Sequence, residues 1–321
     1  MDKSTMISMT NLPGQERSSK LQRFKKAWKK NRGEWLTFIA FFLPNLTIFL
    51  VFTYWPILYS AYLSLTKWNF LTPKPTFIGL QNYLQLFQDE NFWIVLKNTL
   101  VYAFSVVLVA QVLAFFLATL LNKKLRGQTF FRTIAFTPHI TTTAAAALAF
   151  VLLLDPQLGP LSLLYNALGV RGPDWVNNSK LALWALINVG IWKEVGFSSV
   201  FFLAGLQSIN PDYYEAAQID GANKAQMLRY LTIPLMTPIM FFLMVSGIIQ
   251  AIKAFDVVAI MTAGGPIYPD SATYVYHLYQ LAFRNFRGGY ASAFAMLFFV
   301  VIILITIFQL RMSDKWVQYG E

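Results

Sequence analysis

The chain has 321 residues, of which 56% are hydrophobic and only 13% are charged, which is atypical of a soluble protein. It contains no cysteine and only two histidines, which excludes a disulfide framework and a thiolate metal site. No catalytic constellation, metal site or bound cofactor is predicted for this chain.

The N-terminal segment, residues 1–35, carries a large share of the formal net charge of +11. Its Lys and Arg residues crowd just ahead of the first apolar run, which indicates attraction to anionic lipid rather than to nucleic acid. Within this segment, residues 18–32 place Leu21, Phe24 and Trp28 on one helical face, a spacing typical of a helix in the membrane interface. The alternative is a disordered basic tail whose charge only sets the orientation of the chain in the membrane. No cleavable signal peptide is expected, because the first apolar run begins too late and is too long.

Apolar runs recur along the chain at the length that a helix needs to cross the membrane, about 20 residues. We expect six transmembrane helices within residues 36–311, followed by a cytoplasmic tail over residues 312–321. The predicted spans lie near residues 36–65, 94–121, 133–154, 181–206, 233–261 and 289–311. Lys and Arg concentrate on the side of the N-terminus, so both termini are predicted to be cytoplasmic. The predicted fold class is an all-α integral membrane protein embedded in the lipid bilayer.

Three polar segments are predicted on the opposite, outer side. They lie near residues 67–93, 155–180 and 262–288. None is long enough to form a separate domain. A partner that captures solute outside the cell would dock on surfaces such as these.

The polar segment between the fourth and fifth spans, residues 210–238, is predicted to project into the cytoplasm. Asn210 is a suitable N-cap and Pro211 suits the first helical position, so a helix is expected to begin here. Gly221 can take the left-handed conformation that ends a helix. A second short helix would run over residues 224–230, before a span that begins at the next proline. These residues alone describe either a docking surface or an ordinary interfacial loop.

Three groups in this segment carry a resemblance to a known family: Glu215-Ala216-Ala217, Asp220-Gly221-Ala222 and Ile233-Pro234-Leu235. They are similar to the EAA loop of permease subunits of binding-protein-dependent ABC importers, in which a glycine follows EAA after three residues. The end of the loop departs slightly, because Leu231-Thr232-Ile233-Pro234 stands where the family has I-x-L-P. Further stretches resemble the sugar-type branch, which includes maltose, glycerol-3-phosphate and oligosaccharide permeases: Trp192-Lys193, Gly264-Gly265-Pro266 and residues 77–83.

The resemblance implies a six-helix permease domain of the MetI-like type with a coupling loop over residues 210–234. It implies that the first loop helix inserts into a cleft of an ATP-hydrolysing subunit, whose closure drives alternating access. Glu215 would pair with a basic residue of that subunit. The coupling residues implied are Tyr213, Tyr214, Glu215, Ala216, Ala217, Asp220 and Gly221.

The sequence has no Walker A motif, so the chain is expected to be a transport subunit rather than an enzyme. ATP and Mg²⁺ would be used by two ATP-binding cassette subunits. The resemblance also implies an extracytoplasmic solute-binding protein and a second homologous permease, with a heterodimer favoured, in the bacterial cytoplasmic (inner) membrane. A sugar or oligosaccharide is the expected solute. An acidic saccharide or a glycerol phosphate compound is the alternative.

Charged residues fall within the predicted fourth and fifth spans, where each costs roughly 2.5–3.5 kcal/mol at a helix centre. They are Lys193, Glu194, Lys253 and Asp256. Lys253 and Asp256 are three residues apart and are expected to be able to pair on one helical face. An internal ion pair is one interpretation, and a hydrophilic solute pathway is the other. In the second interpretation Gln250 binds hydroxyl groups and Trp192 offers a flat apolar face to a sugar ring.

A secondary transporter driven by an ion gradient is the alternative from another class, with Glu194 and Asp256 as proton or sodium sites. It leaves the EAA-like loop without a purpose, and the sequence shows no evident inverted repeat. A channel is disfavoured because no filter-like re-entrant segment is recognisable.

Overall fold

The structure, a computed structural model, describes residues 32–123 and 127–316. Almost all of the predicted interfacial helix and half of the predicted C-terminal tail therefore lie outside the described residues. The chain divides into two compact units, one ending at Ser60 and the other beginning at Ala61.

The first unit is built from a long apolar helix. Helix α1 (Arg32–Phe49) continues through a π-helical turn (Leu50–Tyr54) into helix α2 (Trp55–Ser64). The stretch Leu36–Ser64 is long and apolar enough to cross a membrane. The wider turn comes directly before Pro56, which has no N–H to donate and whose ring would clash with the carbonyl four residues earlier.

The second unit opens with a small hairpin that the all-α prediction missed. Strands β1 (Thr66–Lys67) and β2 (Thr76–Phe77) pair antiparallel and are followed by helix α3 (Gln81–Gln88). Asn82 donates two hydrogen bonds of 2.8 Å to main-chain carbonyls at the end of α2 and in β1. These bonds fix α3 beneath the hairpin. Strands of two residues are too short to give a periodic signal in the sequence.

The remaining helices are α4 (Glu90–Leu121), α5 (Gln128–Ile140), α6 (Thr143–Leu153), α7 (Pro160–Ala167), α8 (Ala182–Ser208), α9 (Pro211–Ile219), α10 (Lys224–Met227), α11 (Ile233–Ile252), α12 (Asp256–Met261), α13 (Tyr274–Tyr279) and α14 (Gly288–Trp316). A π-helical turn (Leu228–Thr232) joins α10 to α11, and another (Gln280–Arg284) follows α13. Within the described residues, five helices are long and apolar enough to cross a membrane. The pair α5 and α6, bent by 99°, makes a sixth if it is one span.

Two apolar clusters lie at opposite ends of α4 and α8. Near the start of both helices, Val95 packs in the same cluster as Leu186. Near their ends, Ala118 packs in the same cluster as Leu206. Helices α4 and α8 therefore run parallel. Helix α11 runs the other way, because Met236 at its start belongs to the second cluster and its last turn belongs to the first.

The boundaries of the predicted fifth span, residues 233–261, need correction at both ends. The helix begins earlier, because α10 passes through the π-helical turn into α11 and Pro234 does not start the span. As at Pro56, the wide turn absorbs the missing N–H and the ring of the proline. The helix also ends earlier, at Ile252, and α12 begins only at Asp256.

Candidate functional site

A cavity of about 610 Å³ lies within the second unit, between α4, α8, α11, the start of α12 and the bend from α5 to α6. Five of the six predicted pathway residues line it: Lys193, Glu194, Gln250, Lys253 and Asp256. Its wall therefore carries two ammonium groups, two carboxylates and an amide between otherwise apolar helices. The structure brings these five side chains together although they come from sequence positions about sixty residues apart.

Trp192 is the predicted pathway residue that does not line the cavity. Its side chain is directed to α6, where it packs against Phe150 with ring centroids 5.5 Å apart. Trp192 therefore faces α6, whereas the next two residues of α8, Lys193 and Glu194, line the cavity.

The bend between α5 and α6 supplies one polar wall of the cavity. Helix α5 ends at Ile140, and Thr142 caps α6 by accepting a hydrogen bond of 3.3 Å from the amide of Ala145. The last four carbonyls of a helix have no partner within the helix. Here the Lys193 ammonium donates to the carbonyl oxygen of Thr141 and, at 3.4 Å, to that of Pro138. The cation also lies at the negative end of the helix dipole.

Close backbone packing sets the position of Lys193. A side chain at Gly196 would place its Cβ 2.6 Å from the carbonyl oxygen of Ala135 in α5. Only glycine allows α8 and α5 to approach this closely. Lys193 lies one turn before Gly196 on α8 and therefore reaches the end of α5.

Glu194 has a different environment from its neighbour in sequence. Its Oε1 accepts a hydrogen bond of 3.1 Å from the Ser198 hydroxyl one turn later, and the side chain is half-buried. It lies on the side of Gly247 in α11. Lys193 and Glu194 are thus satisfied by separate partners and do not neutralise each other directly.

The third polar group of the cavity surrounds the break between α11 and α12. Gln250 lies in the last turn of α11, Lys253 caps that helix and Asp256 opens α12. All three side chains are exposed. Within the described residues Lys253 makes no ion pair with Asp256, so the predicted pairing on one continuous helical face is not formed. The helix ends between the two residues, and their side chains stay available to a ligand.

Several polar residues of the predicted third span line the cavity although they were not predicted as pathway residues. They are His139, Thr141, Thr142 and Thr143. His139 stacks on Phe197 of α8 with ring centroids 4.6 Å apart. The signal that would have found them is Pro138, followed by a run of polar residues inside an apolar span. That combination is typical of a broken membrane helix lining a cavity.

The predicted coupling loop forms a helix and a glycine turn, as its caps predict. Asn210 accepts a hydrogen bond of 3.1 Å from the amide of Asp212 and caps α9. Gly221 has φ +79° and donates to the carbonyl of Gln218 at 3.0 Å, while Ala222 donates to that of Ala217 at 2.9 Å. This is the Schellman arrangement that satisfies carbonyls at a helix end.

The predicted coupling residues divide between exposed and internal positions. Glu215 and Ala216 are exposed, and Tyr213 is 56% exposed. Tyr214 is half-buried, and its hydroxyl lies 3.0 Å from that of Thr232, which ties α9 to the start of the next span.

Two strongly exposed apolar residues of this loop were not predicted as coupling residues. Ile219 is 86% exposed and Tyr230 is 71% exposed. Tyr230 lines a cavity of about 400 Å³, together with Ala217, Asp220 and Gly221 among others. The loop therefore presents an apolar surface with carboxylates at its edge, as a docking element would.

Residues 110–319 match the family described as binding-protein-dependent transport system inner membrane component. This range includes the coupling loop and every residue of the α8 and α11 walls of the cavity. The chain belongs to this family. The match covers more than half of the chain.

Curated relatives extend the similarity over almost the whole chain. The sn-glycerol-3-phosphate transport system permease protein UgpA of Yersinia pestis bv. Antiqua is 32% identical over 89% of this chain and 96% of its own length. The probable ABC transporter permease protein YesP of Bacillus subtilis is 35% identical over 91% and 96%.

Solved structures show the same fold. A chain of a bacterial ABC transporter involved in import of the acidic polysaccharide alginate superposes with a TM-score of 0.80 at 27% identity, over 91% of this chain and 100% of that one. A chain of the alginate transporter in complex with an alginate pentasaccharide-bound periplasmic protein gives 0.79 at 26% identity, over 92% and 99%.

Proposed function

We propose that this chain forms half of the translocation pathway of an ATP-driven importer for a carbohydrate, with the 610 Å³ cavity as its part of the solute site. The observation that carries the proposal is the polar lining of that cavity within an apolar helix bundle. Charged groups are costly inside a membrane and normally face a partner or a water-filled path. The side chains of Lys253, Asp256 and Gln250 line the cavity, and within the described residues they form no hydrogen bond or ion pair with one another.

We further propose that the chain crosses the membrane six times. Since α4 and α8 run parallel, the chain between them has to return from one end of the bundle to the other. The bent pair α5 and α6 is the segment available for this return. An even number of crossings would put both termini on one side of the membrane, and the basic N-terminal segment supports the cytoplasmic side.

The coupling loop supports the proposed partners. We propose that α9 docks on an ATP-binding cassette subunit, with Glu215 and the exposed Ile219 at the contact. Two such subunits would supply ATP hydrolysis. A second permease would complete the cavity, and an extracytoplasmic solute-binding protein would deliver the solute. The structure of a relative in complex with its periplasmic protein supports this arrangement. With ATP hydrolysis as the energy source, this arrangement would not require an ion gradient.

The charges of the cavity favour a neutral polyhydroxylated solute. Lys193 and Lys253 are balanced in formal charge by Glu194 and Asp256. Because Lys193 donates to backbone carbonyls, it has less capacity left for an anion. Hydroxyl groups of a saccharide match the mixture of donors and acceptors on Gln250, Lys253 and Asp256. A glycerol phosphate compound is the second candidate, supported by the similarity to UgpA.

The test is uptake by the transporter purified with its co-purifying chains and reconstituted with ATP inside vesicles. Labelled maltose, a labelled oligosaccharide and sn-glycerol 3-phosphate serve as probes. Gln250→Ala is expected to raise the half-saturating concentration of the transported probe about tenfold, because a hydrogen-bonding side chain of the cavity is lost. Subunit assembly is expected to be unchanged.

The matched control is Gln207→Ala, which removes an exposed glutamine near the C-terminal end of α8, outside the cavity. It is expected to transport like the natural chain. Equal kinetics in Gln250→Ala and Gln207→Ala would remove Gln250 from the pathway. If no ATPase co-purifies and ATP does not drive uptake of any probe, the importer proposal itself fails.

A further inference from the structure

A second cavity, of about 660 Å³, lies at the hairpin end of the helices. It is formed by the β1–β2 hairpin, α3 and the start of α14, and it shares no lining residue with the 610 Å³ cavity. The side chains that matter for its chemistry are Lys67, Trp68, Lys74, Gln81, Gln85 and Arg287. The proposed function does not use this site.

The walls of this hairpin cavity are fixed by hydrogen bonds. The amide of Gly289 in α14 donates to the carbonyl of Trp68 at 2.9 Å, which joins the start of the helix to the hairpin loop. Asn69 accepts a hydrogen bond of 2.9 Å from the amide of Thr72, and the Trp68 indole donates to the carbonyl of the same residue at 3.0 Å. The side chains are therefore presented by a defined loop.

The lining is strongly positive. Lys67 and Lys74 are exposed, and the Arg287 guanidinium lies over the Tyr290 ring, 4.1 Å from its centroid. No carboxylate lines the cavity, and within the described residues none of the three cations forms an ion pair. Asp89, which accepts a hydrogen bond of 3.0 Å from the Tyr290 hydroxyl, does not line the cavity.

We propose that this hairpin cavity binds an anionic group carried on a polyol, that is, a phosphate or carboxylate next to hydroxyl groups. Ammonium and guanidinium groups make strong charge-assisted hydrogen bonds to such oxyanions. The amides of Gln81 and Gln85 match hydroxyl groups, and Trp68 offers an apolar face to the carbon skeleton. The glycerol phosphate headgroup of a lipid and a free polyol phosphate share this chemistry.

The full-length chain in lipid nanodiscs tests the proposal with two probes. Titration with sn-glycerol 3-phosphate in phosphatidylcholine nanodiscs measures binding of the free anion. Native mass spectrometry after assembly with phosphatidylglycerol counts retained anionic lipid. Lys67→Gln combined with Lys74→Gln is expected to weaken at least one of these interactions about tenfold or more, since two charge-assisted contacts are lost. Both residues are exposed, so folding is not expected to depend on them.

The matched control is Arg171→Gln combined with Lys180→Gln, which removes the same charge from exposed positions in the loop before α8. Weaker binding of the free phosphate in the Lys67/Lys74 variant alone identifies a soluble ligand. Loss of lipid retention in that variant alone identifies a headgroup. The proposal is overturned if neither probe binds the natural chain, or if the control loses as much binding as the Lys67/Lys74 variant. Because these readouts need no transport, they are independent of whether the carbohydrate proposal holds.

Discussion

Lys193 and Lys253 both line the 610 Å³ cavity, but their surroundings give them different roles. The Lys193 side chain donates to two main-chain carbonyls at the end of α5, whereas Lys253 caps α11 through its backbone N–H and its side chain is exposed. The first contact stabilises the bend between α5 and α6. The second leaves an ammonium group facing the cavity. One residue is therefore expected to act on stability and the other on solute binding.

Lys193→Met tests the structural role. The methionine fills a similar volume but leaves the carbonyls of Pro138 and Thr141 without this donor. We expect destabilisation by about 1–3 kcal/mol, measured as a lower unfolding temperature of the purified complex. Lys193→Arg, which keeps the charge and the donors, is expected to recover part of this loss.

Lys253→Met is the matched comparison for Lys193→Met. It removes the same charge from the same cavity without removing a donor from a helix end, so the unfolding temperature is expected to change little. Uptake is the property expected to fall in this variant. If both variants destabilise equally, the assignment of separate roles is wrong.

At the scale of the element, α9 depends on the turn that ends it. Gly221 has φ +79°, a conformation that costs a residue with a Cβ roughly 1–2 kcal/mol, and more for a β-branched one. The turn directs the chain from α9 into α10, where Asn223 and Gln226 form a reciprocal capping box with hydrogen bonds of 2.8 and 2.9 Å. The relative placement of the two short helices therefore rests on a single backbone conformation.

Gly221→Val is expected to reduce co-purification of the ATPase subunit several-fold while the chain remains inserted in the membrane. Valine is both β-branched and unfavourable at positive φ, so the turn has to rearrange. Gly221→Asn is the control, because asparagine tolerates the left-handed conformation. Normal co-purification of the valine variant would show that docking does not need this turn.

The coupling loop was predictable from sequence because its signals are local. Asn210, Pro211 and Gly221 each specify a cap or a turn within a few residues. The break after Ile252 was not predictable, since no Gly or Pro marks it. Within the break, the Ala254 carbonyl accepts a hydrogen bond of 2.7 Å from the Thr273 hydroxyl, which lies nineteen residues later in the chain.

The bend in the predicted third span was only partly predictable from sequence, because the group that stabilises it is distant in the chain. Pro138 marks a helix disturbance in the sequence, but the donor that stabilises it, Lys193, comes from another helix. Four of the five predicted pathway residues that line the cavity are charged, and charges stand out in apolar spans because they are rare there. Trp192 was predicted beside them but packs on α6, because sequence proximity to Lys193 does not determine which side of α8 a side chain faces.

At the scale of the whole molecule, the loop between α12 and α14 packs against the helix bundle. Asn98 of α4 donates to the main-chain carbonyls of Pro269, Asp270 and Ala272 at 3.0–3.2 Å. His277 of α13 is buried against Phe294 of α14, with ring centroids 5.2 Å apart. The stability of the second unit therefore depends on the packing of this loop against α4 and α14.

His277 makes that packing sensitive to pH. Burial lowers the pKa of His277 to about 4, against 6.5 for a free histidine; Asp89 raises this pKa and Arg287 lowers it further. Its Nδ1 bonds to the Tyr268 hydroxyl, and its Nε2 is buried without a partner among the described residues. The folded chain thus holds the ring neutral, while the unfolded chain takes up a proton more readily.

The sign of the effect follows from the lowered pKa. The unfolded state binds more protons between pH 6.5 and about 4, so the contribution of neutral His277 to stability is fully present above pH 6.5 and falls as the pH drops through this window. Thermal unfolding of the purified transporter between pH 7.5 and 4.5 measures it. His277→Gln keeps a polar side chain of similar size without a titrating ring. We expect the variant to start with a lower unfolding temperature and to lose less of it on acidification than the natural chain. Parallel curves for the two proteins would show that other groups, such as the carboxylates of the outer loops, set the acid sensitivity.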